Sequence, residues 1–319
     1  MNYTYDTDYK GIHGICLENE RLKAIFLPDQ GAKLCSLVRK AAQKEYIYQG
    51  KTERYRVAQY GQSYLEGECA GVDEMFPTID EGYYERTPWK GICFPDHGEV
   101  WPLKWEQKVD GTILCMSVHS EKLPCVLKKA ASIQEDKIHM EYELANLSDF
   151  PIDYIWAAHM MFQAEEGASF EFDKGLAKAY VTMSDSGIIG NYGDTFIYPY
   201  ICQEDGSTYD IRIHRGERAN DYQKFYFADK LKSGQGWGRI HYPDESFLTV
   251  SFPVEKVPYL GVVQAEGGEL DLRCMFLEPC TGAFDSISAA RMHNMSSMLQ
   301  PKEIKKWYLD IEVLEGKTE

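Results

Sequence analysis

The chain has 319 residues, 44% of them hydrophobic, and its 50 acidic and 34 basic residues give a formal net charge of −16. This length and hydrophobic content suffice to bury a sizeable core, and we expect a single domain over residues 1–319. The acidic balance, without a dense cluster of Lys and Arg, argues against nucleic acid as a partner and against strongly anionic substrates. A neutral small molecule suits the chain best.

Neither membrane insertion nor secretion has support in the sequence. The chain contains no apolar run of 18 residues, and its first residues, MNYTYDTDYKGIHG, lack the basic and apolar segments of a signal peptide. The nine cysteines, an odd number without a C-x-x-C pair, are typical of reduced thiols rather than of a disulfide framework. We therefore expect a cytoplasmic protein without membrane contact, either a monomer or a homodimer.

Short runs of alternating apolar and polar residues recur between turn residues. In KIHMEYEL (137–144), apolar and polar side chains alternate with the two-residue period of a half-buried strand. The same pattern predicts strands at 21–27, 112–120, 169–173, 210–215, 224–228, 246–252 and 305–313. Helix is indicated only over 284–299 and, more weakly, over 40–45. At least twelve strands with few short helices predict an all-β fold, an antiparallel β-sandwich or barrel.

The segment 52–100 differs from the rest of the chain. It is irregular, aromatic and dense in Gly and Pro, and a loop-rich segment of this kind on a sheet scaffold is a common location for a binding site. The alternative is an ordinary surface excursion. No linker, low-complexity tract or repeat of 20 to 50 residues divides the chain.

Several common catalytic motifs are absent from the sequence. It contains no H-E-x-x-H, G-x-S-x-G, G-x-G-x-x-G or G-x-x-x-x-G-K-S/T, so zinc protease, α/β-hydrolase, dinucleotide and P-loop chemistries have no motif support. None of the eight histidines stands at metal-ligand spacing from another ligand pair. We therefore expect neither a metal nor a cofactor.

His97 is the first candidate for chemistry. In GICFPDHGEVWPLKW (91–105) it stands in a proline and glycine turn, with Trp101 and Trp105 after it. Sugars are often bound by such a pairing, because an aromatic face covers their C–H groups while a polar side chain bonds their hydroxyls. The alternative is a turn histidine that caps local backbone.

Two further candidates stand in apolar strands. In DYIWAAHMMFQ (153–163), His159 lies inside an apolar run, where a satisfied core histidine is the alternative interpretation. In DLRCMFLEPCTG (271–282), Glu278 shares a strand face with Phe276 by the two-residue period, although a carboxylate there needs compensating partners. An acid bonded to backbone amides at a strand end is the alternative for Glu278. Together, one acid and two histidines in aromatic surroundings can move protons on a neutral polar molecule.

Six segments and a closing strand, in order from about residue 10 to 315, are similar to one known family. They are AIFLPDQGAKLCSLV (24–38), GVDEMFPTI (71–79), DHGEVWPLKW (96–105), IWAAHMMF (155–162), PYLGVVQAEGG (258–268), LEPCTGAFDSI (277–287) and LQPKEIKKWYLDIEV (299–313). On these segments the chain resembles the aldose 1-epimerases, or galactose mutarotase-like proteins, in their divergent bacterial branch.

The resemblance implies a large antiparallel β-sandwich, the galactose mutarotase-like supersandwich, with a sugar site in a cleft on one sheet. It also implies a cofactor-independent isomerase of carbohydrate metabolism that interconverts the α and β anomers of a free sugar. By position, Glu278 would be the general base, His159 the general acid and His97 a substrate-binding group. A partly desolvated carboxylate has a raised pKa, which suits a base that faces a weakly acidic hydroxyl.

The chain departs from the family at several sugar-binding positions. Where the galactose enzymes have an Asn and Arg pair on an early strand, this chain offers Asp73 and Glu74. Trp101 stands near the position where the hexose-phosphate enzymes place an Arg, which favours an unphosphorylated sugar. Lys224 and Trp237 are the remaining substrate-binding candidates, in a region without the family's Gly-x-Asp-His segment. These differences argue against galactose as the specific substrate.

Two other functions are compatible with the same residues. One is a non-catalytic carbohydrate-binding or sensing protein that keeps the cleft without turnover. The other is a glycoside-cleaving enzyme with paired carboxylates, in which Glu278 acts together with Glu74 or Asp73.

Overall fold

A computed structural model describes residues 1–203 and 205–315, which form an almost entirely β structure. The first strands are β1 (Tyr3–Tyr9), β2 (Ile12–Glu18), β3 (Leu22–Leu27), β4 (Lys33–Arg39), β5 (Lys44–Glu45), β6 (Val72–Met75), β7 (Gly82–Tyr83), β8 (Cys93–Phe94) and β9 (Glu106–Asp110). They continue with β10 (Ile113–His119), β11 (Cys125–Gln134), β12 (Lys137–Asn146), β13 (Ile152–Tyr154), β14 (Ala157–Gln163), β15 (Ser169–Phe172), β16 (Lys178–Ser184), β17 (Thr195–Ile197) and β18 (Tyr200–Cys202). The last are β19 (Thr208–Asp210), β20 (Tyr222–Phe227), β21 (Trp237–His241), β22 (Phe247–Ser251), β23 (Tyr259–Gly267), β24 (Leu272–Cys280), β25 (Ser297–Leu299) and β26 (Ile304–Leu314).

Helical structure in the described residues is short. It comprises one α-helix, α1 (Ile287–Met292), and two 3-10 turns, Tyr64–Glu66 and Gly216–Arg218. None of these segments has the length and hydropathy that a helix needs to span a membrane. All nine cysteines lie in the described part of the chain, and all are unpaired.

Two large antiparallel sheets dominate the structure. The 12-stranded sheet has the order β1-β2-β3-β4-β6-β14-β24-β23-β20-β16-β17, with β5 paired to β4. The 8-stranded sheet has the order β15-β21-β22-β26-β12-β11-β10-β9. Three two-stranded ribbons, β13-β25, β18-β19 and β7-β8, complete the sheets. The predicted all-β antiparallel sandwich is confirmed.

The hydrophobic core lies between the facing surfaces of the two large sheets. On β12, Ile138 and Met140 have no exposed surface, whereas the alternating residues His139 and Glu141 are partly or fully exposed. Leu277 of the 12-stranded sheet belongs to the same core cluster. The two-residue period of each strand therefore assigns one face to the core and leaves the other for different contacts.

Most of the predicted strands are confirmed within two residues at each end. The prediction at 210–215 is wrong, because β19 ends at Asp210. The Asp210 carboxylate accepts a hydrogen bond from the backbone N–H of Arg212 at 3.1 Å and another from its guanidinium Nε at 2.9 Å. This local turn satisfies the backbone and competes with strand pairing, although the apolar alternation continues through it.

The predicted helices cover more residues than are helical in the structure. Within 284–299 only the six residues of α1 are helical, begun by Ser286, whose side chain accepts from the backbone N–H of Ala289. The weaker helix prediction at 40–45 is wrong, because residues 40–43 form the turn between β4 and β5, in which Gln43 has a φ of 50°, and residues 44–45 are β5 itself. A residue in the left-handed region does not continue an α-helix.

Glu74 lies inside the sandwich, not on the outward face where a ligand could reach it. It alternates with Asp73 on β6, so the two acids point to opposite faces of the sheet. The Glu74 carboxylate is fully buried and bonds to the Lys129 ammonium at 2.8 Å, the Tyr142 hydroxyl at 2.9 Å and the Trp156 indole N–H at 2.9 Å. One cation and two neutral hydrogen-bond donors thus compensate the buried charge of Glu74, as expected of a structural carboxylate.

Trp237 lies on β21 in the 8-stranded sheet. Its neighbour Gly238 packs against Phe172 and Leu277 in the core, so Trp237 points to the outward face of that sheet. Its indole N–H donates to the carbonyl of Gly234 at 3.1 Å. Neither Trp237 nor Glu74 therefore joins the other sugar-binding candidates predicted from the sequence.

The buried Glu74–Lys129 pair makes a testable contribution to stability. We expect Lys129→Met to lower the free energy of unfolding by about 3–5 kcal/mol, because the carboxylate is left in the core without its cation. Urea denaturation measures this loss. Lys128→Met on the same strand removes only the exposed ion pair with Glu143 and should cost less than about 1 kcal/mol. Equal losses in the two variants would contradict the structural role of the buried pair.

Candidate active site

The floor of the candidate site is a row of side chains across three adjacent strands of the 12-stranded sheet. His159 on β14 lies opposite Asp73 on β6. The register of β14 on β24 places His159 beside Glu278. Since Glu74 and Leu277 point into the core, their chain neighbours Asp73 and Glu278 point outward. The row therefore lies on the face of the sheet that the 8-stranded sheet does not cover.

Glu278 and His159 contact each other directly. Nε2 of His159 lies 3.5 Å from Oε1 of Glu278, and the ring of Phe276 packs edge-on against the imidazole at 5.0 Å. Glu278 has no exposed surface and His159 is 6% exposed. In the described part of the chain, neither carboxylate oxygen of Glu278 nor Nδ1 of His159 has a hydrogen-bond partner. Buried polar atoms without partners are rare, and a role in catalysis or ligand binding is one explanation for them.

Lys224 on β20 links Glu278 to a second carboxylate. Its ammonium lies 3.2 Å from Oε2 of Glu278 and 2.8 Å from Oδ1 of Asp285, and Tyr226 donates a hydrogen bond to the same Oδ1 at 2.6 Å. Phe284, immediately before Asp285, has a φ of 64°, which is unusual for a bulky residue and is typical of functional sites. A lysine shared by two carboxylates thus borders the buried end of the site.

Gly261 on β23 makes the approach of these groups possible. It is the strand partner of Glu278 on β24 and of Tyr226 on β20. A Cβ at this position would lie 3.0 Å from Oε2 of Glu278 and 2.9 Å from Cε1 of Tyr226. Because such contacts are closer than real Cβ atoms accept, only glycine leaves room here for the carboxylate.

His97 is held by the residue before it. Its Nδ1 lies 2.7 Å from Oδ1 of Asp96, which leaves Nε2 for the cleft, and its φ of 60° is an unusual backbone conformation for a residue with a side chain. Asp96 also accepts from the backbone N–H of Tyr64 at 2.8 Å, and the Trp101 indole N–H donates to the Asp96 carbonyl at 3.1 Å. Burial acts to raise the pKa of Asp96, but the hydrogen bond and charge of His97, together with the hydrogen bonds from Tyr64 and Ser63, outweigh it and lower that pKa to about 2. The carboxylate therefore fixes the orientation of the imidazole.

Tyr64 packs against both histidines. Its ring stacks on that of His97 with centroids 4.2 Å apart and planes at 10°, and it meets the ring of His159 edge-on at 4.8 Å. The two imidazoles are themselves perpendicular, with centroids 5.0 Å apart. The Tyr64 ring thus sets the relative position of the two histidines.

Asp73 anchors Tyr64 from below and does not reach the cleft. Oδ2 of Asp73 accepts from the Tyr64 hydroxyl at 2.7 Å and pairs with the Lys33 ammonium at 2.9 Å. All three side chains are buried, and burial raises the pKa of Asp73 above its usual value. Asp73 and Lys33 therefore support the site rather than line it.

Burial shifts the pKa values of the two central groups in opposite directions. It lowers the pKa of His159 well below its usual value, and the nearby His97 and Lys224 lower it further. It raises the pKa of Glu278, and the charge of Asp285 acts in the same direction, whereas Lys224 opposes them. Burial disfavours the charged form of each group, so the proton affinities of this acid and this base approach each other.

These groups border a cleft of about 400 Å³. His97, His159, Phe276, Lys224 and Asp285 line it, and Glu278 lies directly beneath His159 and Lys224. The volume falls within the range of small-molecule sites. The cleft therefore has room for a ligand that contacts both histidines.

The structure brings together four of the residues predicted from the sequence, namely Glu278, His159, His97 and Lys224. Trp101 is 4% exposed and packs edge-on against Tyr64 at 5.1 Å, so it supports the site from behind. No group of three His, Cys, Asp or Glu side chains in residues 1–203 and 205–315 has an arrangement that could hold a metal ion.

Three site residues escaped the sequence interpretation: Tyr64, Asp96 and Asp285. Asp96 and Asp285 stand inside two of the segments that carried the family resemblance, next to His97 and seven residues after Glu278. Their proximity to histidine and glutamate candidates was the available signal. Tyr64 lies in the irregular segment 52–100, where no periodicity predicts its neighbours.

No protein-family model matches the sequence, and no curated protein sequence matches it. The fold, in contrast, is similar to that of solved structures. The Slr1438 protein of Synechocystis sp. PCC 6803 is 15% identical with a TM-score of 0.69, over 97% of this chain and 99% of that one. A galactose mutarotase-like protein of Lactobacillus casei is 16% identical with a TM-score of 0.68, over 94% of this chain and 100% of that one. A galactose mutarotase related enzyme of Lactobacillus acidophilus is 13% identical with a TM-score of 0.67, over 100% of this chain and 99% of that one.

The chain has the galactose mutarotase-like fold. The similarity extends over nearly the full length of each of these proteins, and it agrees with the two-sheet architecture described above. At such low sequence identity the likeness concerns the fold alone.

The position of Tyr64 between the histidines leads to a spectroscopic prediction. In Tyr64→Leu we expect the imidazole C–H resonances of His97 to move downfield, because the stacked ring that shields them is lost. Tyr64→Phe keeps the ring and should keep these shifts, while loss of the hydroxyl to Asp73 should cost about 1–3 kcal/mol of stability. Histidine NMR spectra and urea denaturation measure the two effects.

His13, half-exposed and bonded to Asp6, serves as the internal reference for these spectra. Its resonances should be the same in the wild type and both variants. Equal shifts of the His97 signals in the Phe and Leu variants would show that the aromatic ring does not position this histidine.

Proposed function

We propose that the protein is an aldose 1-epimerase (mutarotase)-like isomerase, which interconverts the α and β anomers of a free, unphosphorylated sugar by acid-base ring opening. The observation that carries this proposal is the 3.5 Å contact between Nε2 of His159 and Oε1 of Glu278. The anomeric hydroxyl oxygen and the ring oxygen are bonded to the same carbon, so a base and an acid that act on them must lie side by side. The galactose mutarotase-like fold supports the same reaction by analogy.

The reaction needs one proton on the pair, which His159 carries at the start while Glu278 is a carboxylate. The Glu278 carboxylate takes the proton of the anomeric hydroxyl while protonated His159 gives a proton to the ring oxygen, and the bond between that oxygen and the anomeric carbon breaks. The open-chain aldehyde turns about its first C–C bond. Ring closure returns the proton from Glu278 to the aldehyde oxygen and the proton of the attacking hydroxyl to His159, which restores both groups.

The shifted pKa values suit this exchange. A lowered pKa makes the imidazolium of His159 a stronger acid, and a raised pKa makes the Glu278 carboxylate a stronger base. His97, oriented by Asp96, has Nε2 free to hold a sugar hydroxyl or the ring oxygen. Phe276 offers an apolar face to the C–H groups of the sugar.

The charges of the cleft favour a neutral substrate. Asp80, Asp96 and Asp285 line it, and among its lining residues Lys224 is the one lysine or arginine. The Lys224 ammonium is already paired with Asp285 and Glu278. A phosphorylated sugar would therefore enter an acidic cleft without a free cation, at an electrostatic cost.

A glycoside-cleaving mechanism has less support. Glu74 points into the core on the other side of the sheet, and Asp73 is buried beneath Tyr64 and paired with Lys33. Neither carboxylate is available to act with Glu278 on the two sides of one glycosidic bond.

A non-catalytic sugar-binding protein is the second candidate. The observation in its favour is the complete burial of Glu278 beneath Lys224, which must move before the carboxylate meets a hydroxyl. Titration calorimetry combined with NMR exchange between anomers separates the two functions. Saturable sugar binding without accelerated exchange on any aldose would replace the isomerase with this candidate.

Removal of the proposed base tests the reaction. We expect Glu278→Gln to lower the rate constant kcat/KM of anomer exchange by about 10²–10⁴-fold, because the amide does not accept the hydroxyl proton. NMR exchange spectroscopy or polarimetry over a panel of aldoses measures the rate. Glu143→Gln on the outward face of the 8-stranded sheet is the matched control and should exchange anomers like the wild type. Equal rates for Glu278→Gln and the wild type on every sugar would refute the mechanism.

Lys224 leads to a prediction for the pH dependence. The active form of the pair carries one proton, so the rate should follow a bell-shaped curve between the two macroscopic pKa values of the pair. The positive charge of Lys224 lowers the pKa of both Glu278 and His159. Lys224→Met should therefore move both limbs of the curve to higher pH.

Lys224→Arg keeps the charge and is the matched control for this experiment. The two limbs of its pH–rate curve should remain near the wild-type pH values, whereas the limbs of the Lys224→Met curve should shift. Thermal unfolding of both variants verifies that they are folded. A shift to lower pH in Lys224→Met, or the same shift in both variants, would contradict the electrostatic role of Lys224.

A further inference from the structure

Two buried polar atoms on neighbouring strands have no hydrogen-bond partner in the part of the chain that the structure describes. They are Oδ1 of Asp73 on β6 and Nδ1 of His159 on β14, and neither residue is more than 6% exposed. Asp73 and His159 are direct partners in the pairing of the two strands. Because the Cβ atoms of such partners lie about 4.5–5.5 Å apart, a carboxylate and an imidazole at these positions can reach each other.

His159 lies between two carboxylates. Its strand β14 is flanked by β24, which carries Glu278, and by β6, which carries Asp73. Nε2 of His159 faces Glu278, at 3.5 Å from Oε1, so Nδ1 is the ring nitrogen that remains for Asp73. A hydrogen bond to a carboxylate at one ring nitrogen fixes the tautomer of an imidazole and leaves the other nitrogen for proton exchange.

The Asp73 carboxylate is held in place by its other oxygen. Oδ2 accepts from the Tyr64 hydroxyl at 2.7 Å and pairs with the Lys33 ammonium at 2.9 Å. Lys33 also donates to the backbone carbonyls of Glu68 at 2.8 Å and Ala70 at 2.7 Å, which uses all three of its N–H donors. Burial raises the pKa of Asp73, whereas the charge of Lys33 and the bond from Tyr64 oppose this shift. Oδ1 therefore remains as an acceptor at a fixed position.

The other surroundings of His159 disfavour its protonated form. Burial lowers the pKa of His159, and the charges of His97, Lys224 and Lys33 lower it further. Both ring nitrogens of an imidazolium are donors, and an ionised acceptor stabilises such a donor more than a neutral one does. Asp73 offers this acceptor on the side of the imidazole that faces away from β24.

We propose that Asp73 is a positioning residue, which accepts a hydrogen bond from Nδ1–H of His159 through Oδ1 and so leaves Nε2 to exchange a proton with the sugar. The bond forms by a small change of side-chain rotamer and is strongest when the imidazole is protonated. The Nδ1 proton stays on the ring throughout the reaction. This inference rests on the proposed function, because it assigns a tautomer to the proposed general acid.

The tautomer of His159 tests the proposal. Two-dimensional ¹H–¹⁵N NMR spectra of the imidazole distinguish the nitrogen that carries a proton from the one that does not. At a pH above the pKa of His159 we expect the wild type to carry the proton on Nδ1. Asp73→Asn offers an amide N–H instead of a second carboxylate oxygen, so most of the His159 side chains should carry the proton on Nε2. The kcat/KM of anomer exchange should fall by about 10²-fold or more, as expected for the wrong tautomer.

Tyr64→Phe is the matched control for an indirect effect. This variant loses the hydroxyl bond to Asp73 but keeps both the Asp73 carboxylate and the aromatic ring beside His159. It should keep the proton on Nδ1. A proton on Nε2 in the wild type, or the same change of tautomer in Tyr64→Phe as in Asp73→Asn, would overturn the proposal.

A second variant covers a failure of Asp73→Asn to fold, since that substitution leaves the buried Lys33 ammonium without its anion. Lys33→Met/Asp73→Asn removes both charges together. It should show the same proton on Nε2 of His159. A proton retained on Nδ1 in the double variant would also overturn the proposal.

The two readouts separate this inference from the proposed function, because the tautomer is measured without a sugar. A proton on Nδ1 that depends on Asp73, without accelerated anomer exchange on any aldose, would retain the hydrogen bond and reject the isomerase. Accelerated exchange with the wild-type tautomer and rate in Asp73→Asn would retain the isomerase and reject the positioning role of Asp73.

Discussion

The candidate site depends on the two-residue period of three adjacent strands in the 12-stranded sheet. On β6 this period separates Asp73 from Glu74, and on β24 it separates Glu278 from Leu277. A shift of one residue in register would exchange the outward and inward sets and bring His159 into the core. The packing that fixes the sandwich therefore also fixes the distance between the proposed acid and base.

Buried charges occur on both faces of this sheet, but they are satisfied to different degrees. Inside the sandwich, Glu74 has a cation and two neutral donors. On the outward face, Glu278 contacts the Lys224 ammonium and the His159 imidazole, and its oxygens accept no hydrogen bond in the described part of the chain. Since desolvated carboxylates are costly without partners, the fold retains at Glu278 a group that gains from a ligand. This difference supports the proposed chemical role of Glu278 and the structural role of Glu74.

Sequence patterns predicted the strands and the central pair because both follow from local periodicity. A half-buried strand shows its alternation directly, and a lone histidine or glutamate in an apolar face is visible as an exception, as with His159 and Glu278. The prediction failed at 210–215, where an aspartate side chain turns the chain while the alternation continues. Tyr64 and Asp285 remained hidden, because their contacts join segments far apart in sequence that no single-chain pattern connects.

The cleft is bordered by two kinds of structure. Strands β14, β20 and β24 carry His159, Lys224 and Glu278, whereas Leu65, Cys69 and Leu270 border the cleft from loops and turns. Loops accept insertions and substitutions far more readily than paired strands do. Changes at Leu65 and Leu270 can therefore alter the shape of the cleft, while the strand residues and Tyr64 keep the two histidines and Glu278 in place. An engineer who wants a new specificity from this scaffold would diversify the loops and leave the sheet alone.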